Sequence, residues 1–292
     1  MVICQILGGL GNQMFQYAAG RALSLDSESG MQLDLHGFKG YALHNGFEID
    51  RVFLAPVEAA RSIDVKELLG WRSGVLTRKL LKRTKSSTLH GPHLAIEPHF
   101  NYWPKLRKFG SSCYLMGYWQ SEKYFHDFER IIRSDFSFRT PLEAENLYIS
   151  LLMENCNSVS LHVRRGDYLS HAPTAKMLNV CSVDYYKDAI AHIATQVPSP
   201  HFFVFSDDLQ WARNNIRIPF PTEYITGNRG MRSYIDMQLM SSCKHNIIAN
   251  STFSWWGAWL NPTREKIVIA PKNWFCNGTN DEDLIPEPWM RL

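Results

Sequence analysis

Val2-Ile3-Cys4-Gln5-Ile6-Leu7-Gly8-Gly9-Leu10-Gly11-Asn12 opens the chain with an apolar run, a glycine turn and a polar residue placed to cap a helix. Phe15, Ala18, Ala22 and Leu25 then recur at helical spacing, which predicts an amphipathic helix over residues 13–26. Met31-Gln32-Leu33-Asp34-Leu35 reads as the next strand. Strand, glycine turn, helix and strand in this order form the start of a Rossmann-like unit.

The second half repeats that rhythm. Strands are predicted at residues 158–163, 202–205, 223–225, 246–249 and 266–269, and helices at 184–195, 208–214, 232–241 and 253–260. Strands alternating with helices at this spacing imply a parallel sheet. Between the halves, Thr140-Pro141-Leu142-Glu143 has the form of a helix start, with Thr as cap, Pro in the first turn and Glu reaching back. That helix is expected to close a first domain at 1–155, leaving 156–292 as a second. Residues 113–116 read as a strand, and Ser121 as the cap of a helix that follows it.

Composition agrees with a folded α/β protein. The 292 residues are 45% hydrophobic and 20% charged, which supports a sizeable core. The net charge of +3 argues against a dedicated polynucleotide binder. No apolar run approaches the ~20 residues of a membrane-spanning helix. The start lacks the basic segment and small-residue cleavage site of a signal peptide. Six scattered cysteines without a Cys-x-x-Cys pair are therefore expected as free thiols.

In an open parallel sheet, ligands bind beyond the carboxyl ends of the strands. Three polar loops fall there in the second half. They are His162-Val163-Arg164-Arg165-Gly166-Asp167, Ser206-Asp207-Asp208 and Asn250-Ser251-Thr252-Phe253-Ser254. Arg164 and Arg165 offer planar, permanently charged forks that match diphosphate oxygens. Ser251, Thr252 and Ser254 supply hydroxyls and amides at a helix start. Asp207 or Asp208 has the chemistry to accept from a purine edge. The competing reading of the arginines is a structural ion pair with Asp167.

The first turn admits three readings. Gly9 and Gly11 match the first two glycines of a dinucleotide fingerprint, with Asp34 where a ribose-binding acid belongs, but Met14 replaces the third glycine. A tight packing turn is the second reading. The third is a loop whose Asn12 and Gln13 reach a sugar or phosphate. Tyr118, Trp119 and Gln120 place an amide beside two aromatic rings, a pattern that suits a carbohydrate subsite. Metal chemistry has little support. No histidines form a His-x-x-x-His or His-Glu pair, and Asp281-Glu282-Asp283 reads as solvated surface. Residues 72–85 hold Arg72, Arg78, Lys79, Lys82, Arg83 and Lys85, with no acid between Glu67 and Glu97. This is either a solvated helix face or a surface for an anionic membrane.

Four segments together resemble the α-1,2-fucosyltransferases of glycosyltransferase family 11. They are residues 8–17, 117–125, 162–167 and 250–256, and the likeness extends to Trp274. The resemblance implies the GT-B arrangement of two facing Rossmann-like domains with a cleft between them. It implies inverting transfer of L-fucose from GDP-β-L-fucose to O2 of a terminal β-galactoside, with no cofactor and no metal, in a surface glycan such as O-antigen. Under it Arg164 holds the β-phosphate and steadies the leaving GDP. His162 and an acid of Asp207-Asp208 lie near guanine, and Ser251, Thr252 and Ser254 line the phosphates. Arg165, Asp167 and Asn250 complete the donor side. Gly9, Gly11, Asn12, Gln13, Tyr118, Trp119 and Gln120 form the acceptor side. For the general base, Asp34, Glu97 and Asp167 qualify by type alone. The partners expected are GDP-fucose and a galactose-terminated or lipid-linked acceptor, in a cytoplasmic enzyme peripheral on the inner face of the membrane.

Overall fold

A computed structural model describes residues 1–39, 44–84, 86–166 and 180–292. The chain divides into two compact units, Met1–Arg139 with Glu282–Leu284, and Thr140–Asp281 with Ile285–Leu292.

The first unit contains β1 (Val2–Gln5), α1 (Leu10–Asp26), β2 (Met31–Asp34), α2 (Ser62–Leu69), α3 (Val75–Leu81), β3 (Leu94–Ile96), β4 (Cys113–Met116) and α4 (Glu129–Asp135). Its sheet has the order β2-β1-β4-β3, with every pairing parallel. Alternate residues of each strand point to opposite faces. Ile3, Leu94, Ile96, Tyr114 and Met116 therefore share one face, where Val65, Leu69 and Leu81 of α2 and α3 cover them. Cys4, on the other face, donates its thiol to the Gln16 carbonyl of α1 at 3.1 Å. The helix predicted directly after Ser121 is shorter than expected. Ser121 does cap, by accepting from the Lys123 amide, but two 3₁₀ turns precede α4.

The second unit contains α5 (Ala144–Glu154), β5 (Asn157–Val163), α6 (Val183–Gln196), β6 (Pro200–Ser206), α7 (Leu209–Asn215), β7 (Thr222–Tyr224), α8 (Tyr234–Ser242), β8 (His245–Ile247), α9 (Thr252–Leu260), β9 (Val268–Ala270) and β10 (Met290–Arg291). The order is β10-β9-β8-β5-β6-β7, again parallel throughout. Helices cover both faces, as a buried parallel sheet requires. Phe202 and Val204 meet Tyr186, Ile190, Ile193 and Ala212. The alternate residues Phe203 and Phe205 meet Met153, Ile235 and Leu239.

The sequence expectations for Thr140 and for Asp281-Glu282-Asp283 need correction here. The capping box at Thr140 does not form, and α5 begins at Ala144 with Glu143 as its cap residue. The segment before it is pulled aside, with Leu142 packed against the second unit's core and the Thr140 carbonyl accepting from Gln238. The compact units meet in sequence at Arg139/Thr140, whereas the sequence reading set the boundary at 155/156. Asn146 of α5 also exchanges two hydrogen bonds with Asn228, at 3.1 and 3.0 Å. Asp281 and Asp283 are partly buried and paired, while Glu282 between them is exposed. Asp281 accepts from the Trp274 amide and pairs with Arg291, while Asp283 accepts from the Tyr102 amide and pairs with Lys123. All six cysteines are free. No helix among the described residues is long and apolar enough to cross a membrane.

Asn228 also donates to Asp236 of α8 at 2.9 Å. Burial pushes the Asp236 carboxyl up to about 7, against the lowering effect of that hydrogen bond. In the unfolded chain an aspartate titrates near ~3.9. Between those values the unfolded chain releases a proton that the folded chain keeps, so this group loses stability as pH rises. Asp236→Asn keeps an acceptor for Asn228 and removes the titration. Thermal unfolding is expected to show the variant more stable than wild type at pH 8, with the gap closing toward pH 4. A variant less stable at pH 8 would contradict this.

Candidate functional site

Strand order positions the chemistry. β5 lies between β8 and β6, so the loops that follow these three strands emerge side by side. After β5 the chain builds outward through β6 and β7, then returns to add β8, β9 and β10 on the other side. The reversal between β5 and β8 is a topological switch point, where open sheets of this kind hold ligands.

Asp207, at the end of β6, organises the arginine turn. Its Oδ1 accepts the Arg165 amide at 3.0 Å and its Oδ2 accepts the Gly166 amide at 2.9 Å. Oδ2 also lies 3.3 Å from Nη1 of Arg164. Asp208 caps α7 by accepting the Trp211 amide at 3.1 Å, with its other oxygen 3.7 Å from Nε of Arg165. The Arg165 guanidinium lies 3.7 Å over the Trp211 ring. Among the described residues, Asp207 and Asp208 are the acids that pair with the arginines. Asp167, expected as the ion-pair partner and as a donor-side residue, lies outside the described residues. Both aspartates have roles that residue type alone did not show. Their signal in the sequence is an acidic pair after the strand next to an Arg-Arg-Gly turn.

His162 stands one residue before the end of β5, on the face opposite Val159, Leu161 and Val163. It is buried, and its carbonyl accepts from Tyr186. Burial, reinforced by the Arg164 charge, pushes its pKa down to about 3, so the ring is neutral throughout the physiological range. Its buried Nδ1 has no hydrogen-bond partner among the described residues, and nor does Nε of Arg165. Unsatisfied polar atoms at a switch point mark a place prepared for a polar ligand.

The serine-rich turn divides into two roles. Asn250 is buried, donating to the Trp274 carbonyl at 3.1 Å and accepting from the Cys181 thiol at 3.5 Å. Ser254 is buried and donates back to the Ser251 carbonyl. These two shape the turn. Ser251, at the cap of α9, and Thr252, its first residue, stand at the helix start. A helix N-terminus offers unpaired amides and a partial positive charge to an anion.

The first unit has the same construction at β1 and β4. Gly8 adopts φ +86°, a conformation that a side chain would strain, and this turn lets α1 begin at Leu10. The helix therefore starts ahead of the predicted position, and Asn12 lies in its first turn instead of capping it. Gly9 is the cap residue and half-buried, while Gly11 is buried inside the helix. Asn12 accepts from the Gln120 side chain at 2.8 Å, which links the loops after β1 and β4. Gln13 is fully buried. It donates to the Gly8 and Gly46 carbonyls at 2.9 and 2.8 Å and accepts the Glu48 amide. It is a strut, where the sequence suggested a ligand-facing amide.

Glu97, after β3, accepts the amides of Tyr118 and Trp119, each at 2.8 Å. Burial pushes its carboxyl up and these two amides offset part of the rise. A side chain at Gly117 would place Cβ 2.4 Å from Cβ of Glu97, so only glycine fits this approach. Trp119 is fully buried with φ +55°, and its Nε1 has no hydrogen-bond partner among the described residues. Strain of that kind gathers at functional loops. Tyr118 is half-buried beneath Lys82, whose Nζ lies 5.9 Å from its ring centroid.

Asp34 is unsuited to act as a base. Its carboxylate accepts from Tyr114 at 2.5 Å, Arg78 at 3.0 Å, and the His36 amide and ring at 3.0 and 2.7 Å. Burial alone would raise its pKa, but these partners outweigh it and hold the group below the usual carboxylate range. Both oxygens are committed.

Comparison with known proteins accords with this geometry. The family model for Glycosyl transferase family 11 matches residues 78–291. The chain is 36% identical to an Alpha-1,2-colitosyltransferase of Escherichia coli, covering 100% of this chain and 99% of that one. It is also 36% identical to the O-antigen biosynthesis glycosyltransferase WbnK of Escherichia coli, covering 98% of each. A Galactoside alpha-(1,2)-fucosyltransferase 1 of Saimiri boliviensis boliviensis is 30% identical over 50% of this chain and 42% of its own. Among solved structures, the NodZ alpha-1,6-fucosyltransferase soaked with GDP-fucose superposes with TM-score 0.52 at 16% identity, covering 89% and 92% of the two chains. The fold is that of GT-B enzymes, with two Rossmann-like parts. The chain belongs to glycosyl transferase family 11 and is a glycosyltransferase.

If Asp207 acts by holding the arginine turn, it and Arg164 form one functional unit. Arg164→Ala and Asp207→Asn are each expected to lower kcat by ~10²–10³, the loss typical of one removed oxyanion donor. The double variant is expected to be no worse than the poorer single one. Losses that multiply in the double variant would show that the two act independently.

Proposed function

We propose that this family 11 glycosyltransferase moves L-fucose from GDP-β-L-fucose to O2 of a terminal β-galactoside, with inversion, in the assembly of a surface glycan such as O-antigen. The observation that carries the proposal is the arginine turn fixed by Asp207 at the switch point beside the start of α9. A rigid guanidinium fork and a helix N-terminus together match a diphosphate. As the sugar–oxygen bond breaks, negative charge grows on the β-phosphate. Arg164, already held in place, stabilises that charge more in the transition state than in the ground state. Neutral His162 and the outer oxygen of Asp208 suit a purine edge without adding to the positive charge.

On the acceptor side, the linked Asn12 and Gln120 amides and the half-buried Tyr118 ring supply hydrogen bonds and a stacking face. Asp34 and Glu97 both have their oxygens occupied. Asp167, the third candidate by type, lies outside the described residues, and a loose, oxocarbenium-like departure in which leaving-group stabilisation is the main contribution fits the occupied Asp34 and Glu97.

A second donor is favoured by a specific observation. The full-length relative at 36% identity is named an α-1,2-colitosyltransferase, and colitose is the 3-deoxy counterpart of L-fucose. Its name and that of the fucosyltransferase relative share the α-1,2 linkage and differ in the sugar. The two readings separate in a transfer assay with GDP-fucose, GDP-colitose and UDP-galactose against a β-galactoside panel, with products identified by linkage analysis. GDP-fucose is expected to give the highest kcat/KM. Preference for GDP-colitose would replace the sugar and keep the mechanism, while use of UDP-galactose alone would overturn both.

The proposal includes metal independence, because Arg164 and Arg165 carry the charge that a divalent ion would otherwise supply. Turnover is expected to survive treatment with EDTA. Loss of activity that Mn²⁺ restores would refute this part.

A further inference from the structure

We propose that α3 and the turn before it form a docking surface for an anionic lipid bilayer. The inference concerns the first unit only and is independent of which sugar is transferred.

The segment turns apolar side chains to solvent. Leu76 is 76% exposed, Leu80 62% and Trp71 61%, with Val75 and Leu89 also exposed. Four such residues fall within residues 71–80, with Leu76 and Leu80 one helical turn apart, and grouping of this kind marks an interaction site. The helix is held in this orientation from beneath. Arg78 pairs with Asp34 at 3.0 Å and lies 4.5 Å over the Tyr114 ring, while Leu81 enters the core against β3 and β4. Rotating α3 to hide Leu76 and Leu80 would expose Leu81 and strip Asp34 of its buried counter-charge.

The same outward face is basic. Lys79, Lys82 and Arg83 are exposed around the leucines, and Arg72 lies 4.6 Å over the Trp71 ring. No acidic residue occurs between Glu67 and Glu97. Neither reading of 72–85 in the sequence separated its cations by role. Arg78 is buried and structural, Lys85 lies outside the described residues, and the remaining cations are interleaved with apolar side chains.

Charge and apolarity together select the occupant. An anionic headgroup layer neutralises the cations while leucine and tryptophan enter the acyl boundary, the pattern of interfacial segments. A second copy of the same face would set Lys79, Lys82 and Arg83 against like charges. Lys82 also contacts Tyr118, so docking sets the carboxyl edge of the first unit's sheet beside the lipid headgroups. A membrane-anchored glycan acceptor would be met there.

The test is co-sedimentation of the full chain with vesicles, read together with tryptophan emission. Vesicles of phosphatidylcholine alone are compared with an equimolar mixture containing phosphatidylglycerol. Binding is expected only to the mixture, with a blue-shifted emission and weakening at high salt. Leu76→Glu/Leu80→Glu should abolish binding. Lys79→Glu/Arg83→Glu, which leaves the apolar residues intact, should weaken it at least ~25-fold, at about fivefold per lost cation. Both variants should keep wild-type turnover on a soluble acceptor. The proposal is overturned if wild type binds neither vesicle, if it binds both equally, or if the variants bind as wild type does. A wild-type dimer that Leu76→Glu/Leu80→Glu dissolves, without vesicle binding, would assign the face to a second copy and overturn it as well.

Discussion

Parallel pairing is the constraint from which the rest follows. In each sheet all strands run the same way, so all carboxyl ends share one edge. In each sheet the strand order reverses beside one inner strand, between β1 and β4 in one and between β5 and β8 in the other. Helices crossing to opposite sides diverge at that strand and leave a crevice. The glycine turn and the Tyr118-Trp119-Gln120 loop meet at one crevice; the arginine turn and the start of α9 meet at the other. Each crevice carries a carboxylate whose task is to hold neighbouring backbone. Glu97 grips two amides after β4, and Asp207 grips two amides after β5. A carboxylate that accepts two amides fixes a loop without regular structure, which suits a site that must not reorganise during reaction.

Much of this order is legible in the sequence because it rests on local rules. The apolar strands of the second half, the glycine turn and the polar loops after each strand follow from periodicity and turn chemistry. What the sequence hides is pairing over distance. Gln13 looked like a ligand-facing amide because polar residues are usually solvated; its partners, Gly46 and Glu48, lie more than thirty residues on. The strand β3 has only three residues and no alternation to announce it. Thr140-Pro141-Leu142-Glu143 has every local mark of a helix start, yet the packing of Leu142 prevails over the cap. Burying an aliphatic side chain outweighs the ~1 kcal/mol typical of one cap.

Charge shows the same limit. Counting residues 72–85 gives a basic run, but Arg78 faces inward to a buried carboxylate. Asp34 takes its hydrogen bonds from three separate segments, which is why it stays ionised in an apolar core. A buried pair of this kind adds little net stability compared with apolar packing; breaking it by removing one partner costs ~3–5 kcal/mol. Its effect is orientation, since it fixes which face of α3 meets solvent. The net charge of +3 conceals both this pair and the arginines of the second unit.

The architecture also explains why the transferred sugar is the feature hardest to read. An arginine turn beside a helix start has the chemistry to hold a diphosphate, a unit that many sugar nucleotides share. Enzymes that differ only in their sugar are therefore free to share this part, as the 36% identity to a colitosyltransferase across the whole chain suggests. Discrimination between fucose and its 3-deoxy counterpart concerns one hydroxyl. A site built to hydrogen-bond that hydroxyl rejects the analogue lacking it by ~10⁴–10⁵, whereas an apolar pocket resists an added hydroxyl by only ~10². The asymmetry places sugar choice in one or two polar contacts at O3 and not in the motifs that define the family. On the proposed reading, Arg164 and Asp207 bear on whether transfer occurs, and a residue facing O3 bears on which sugar is moved.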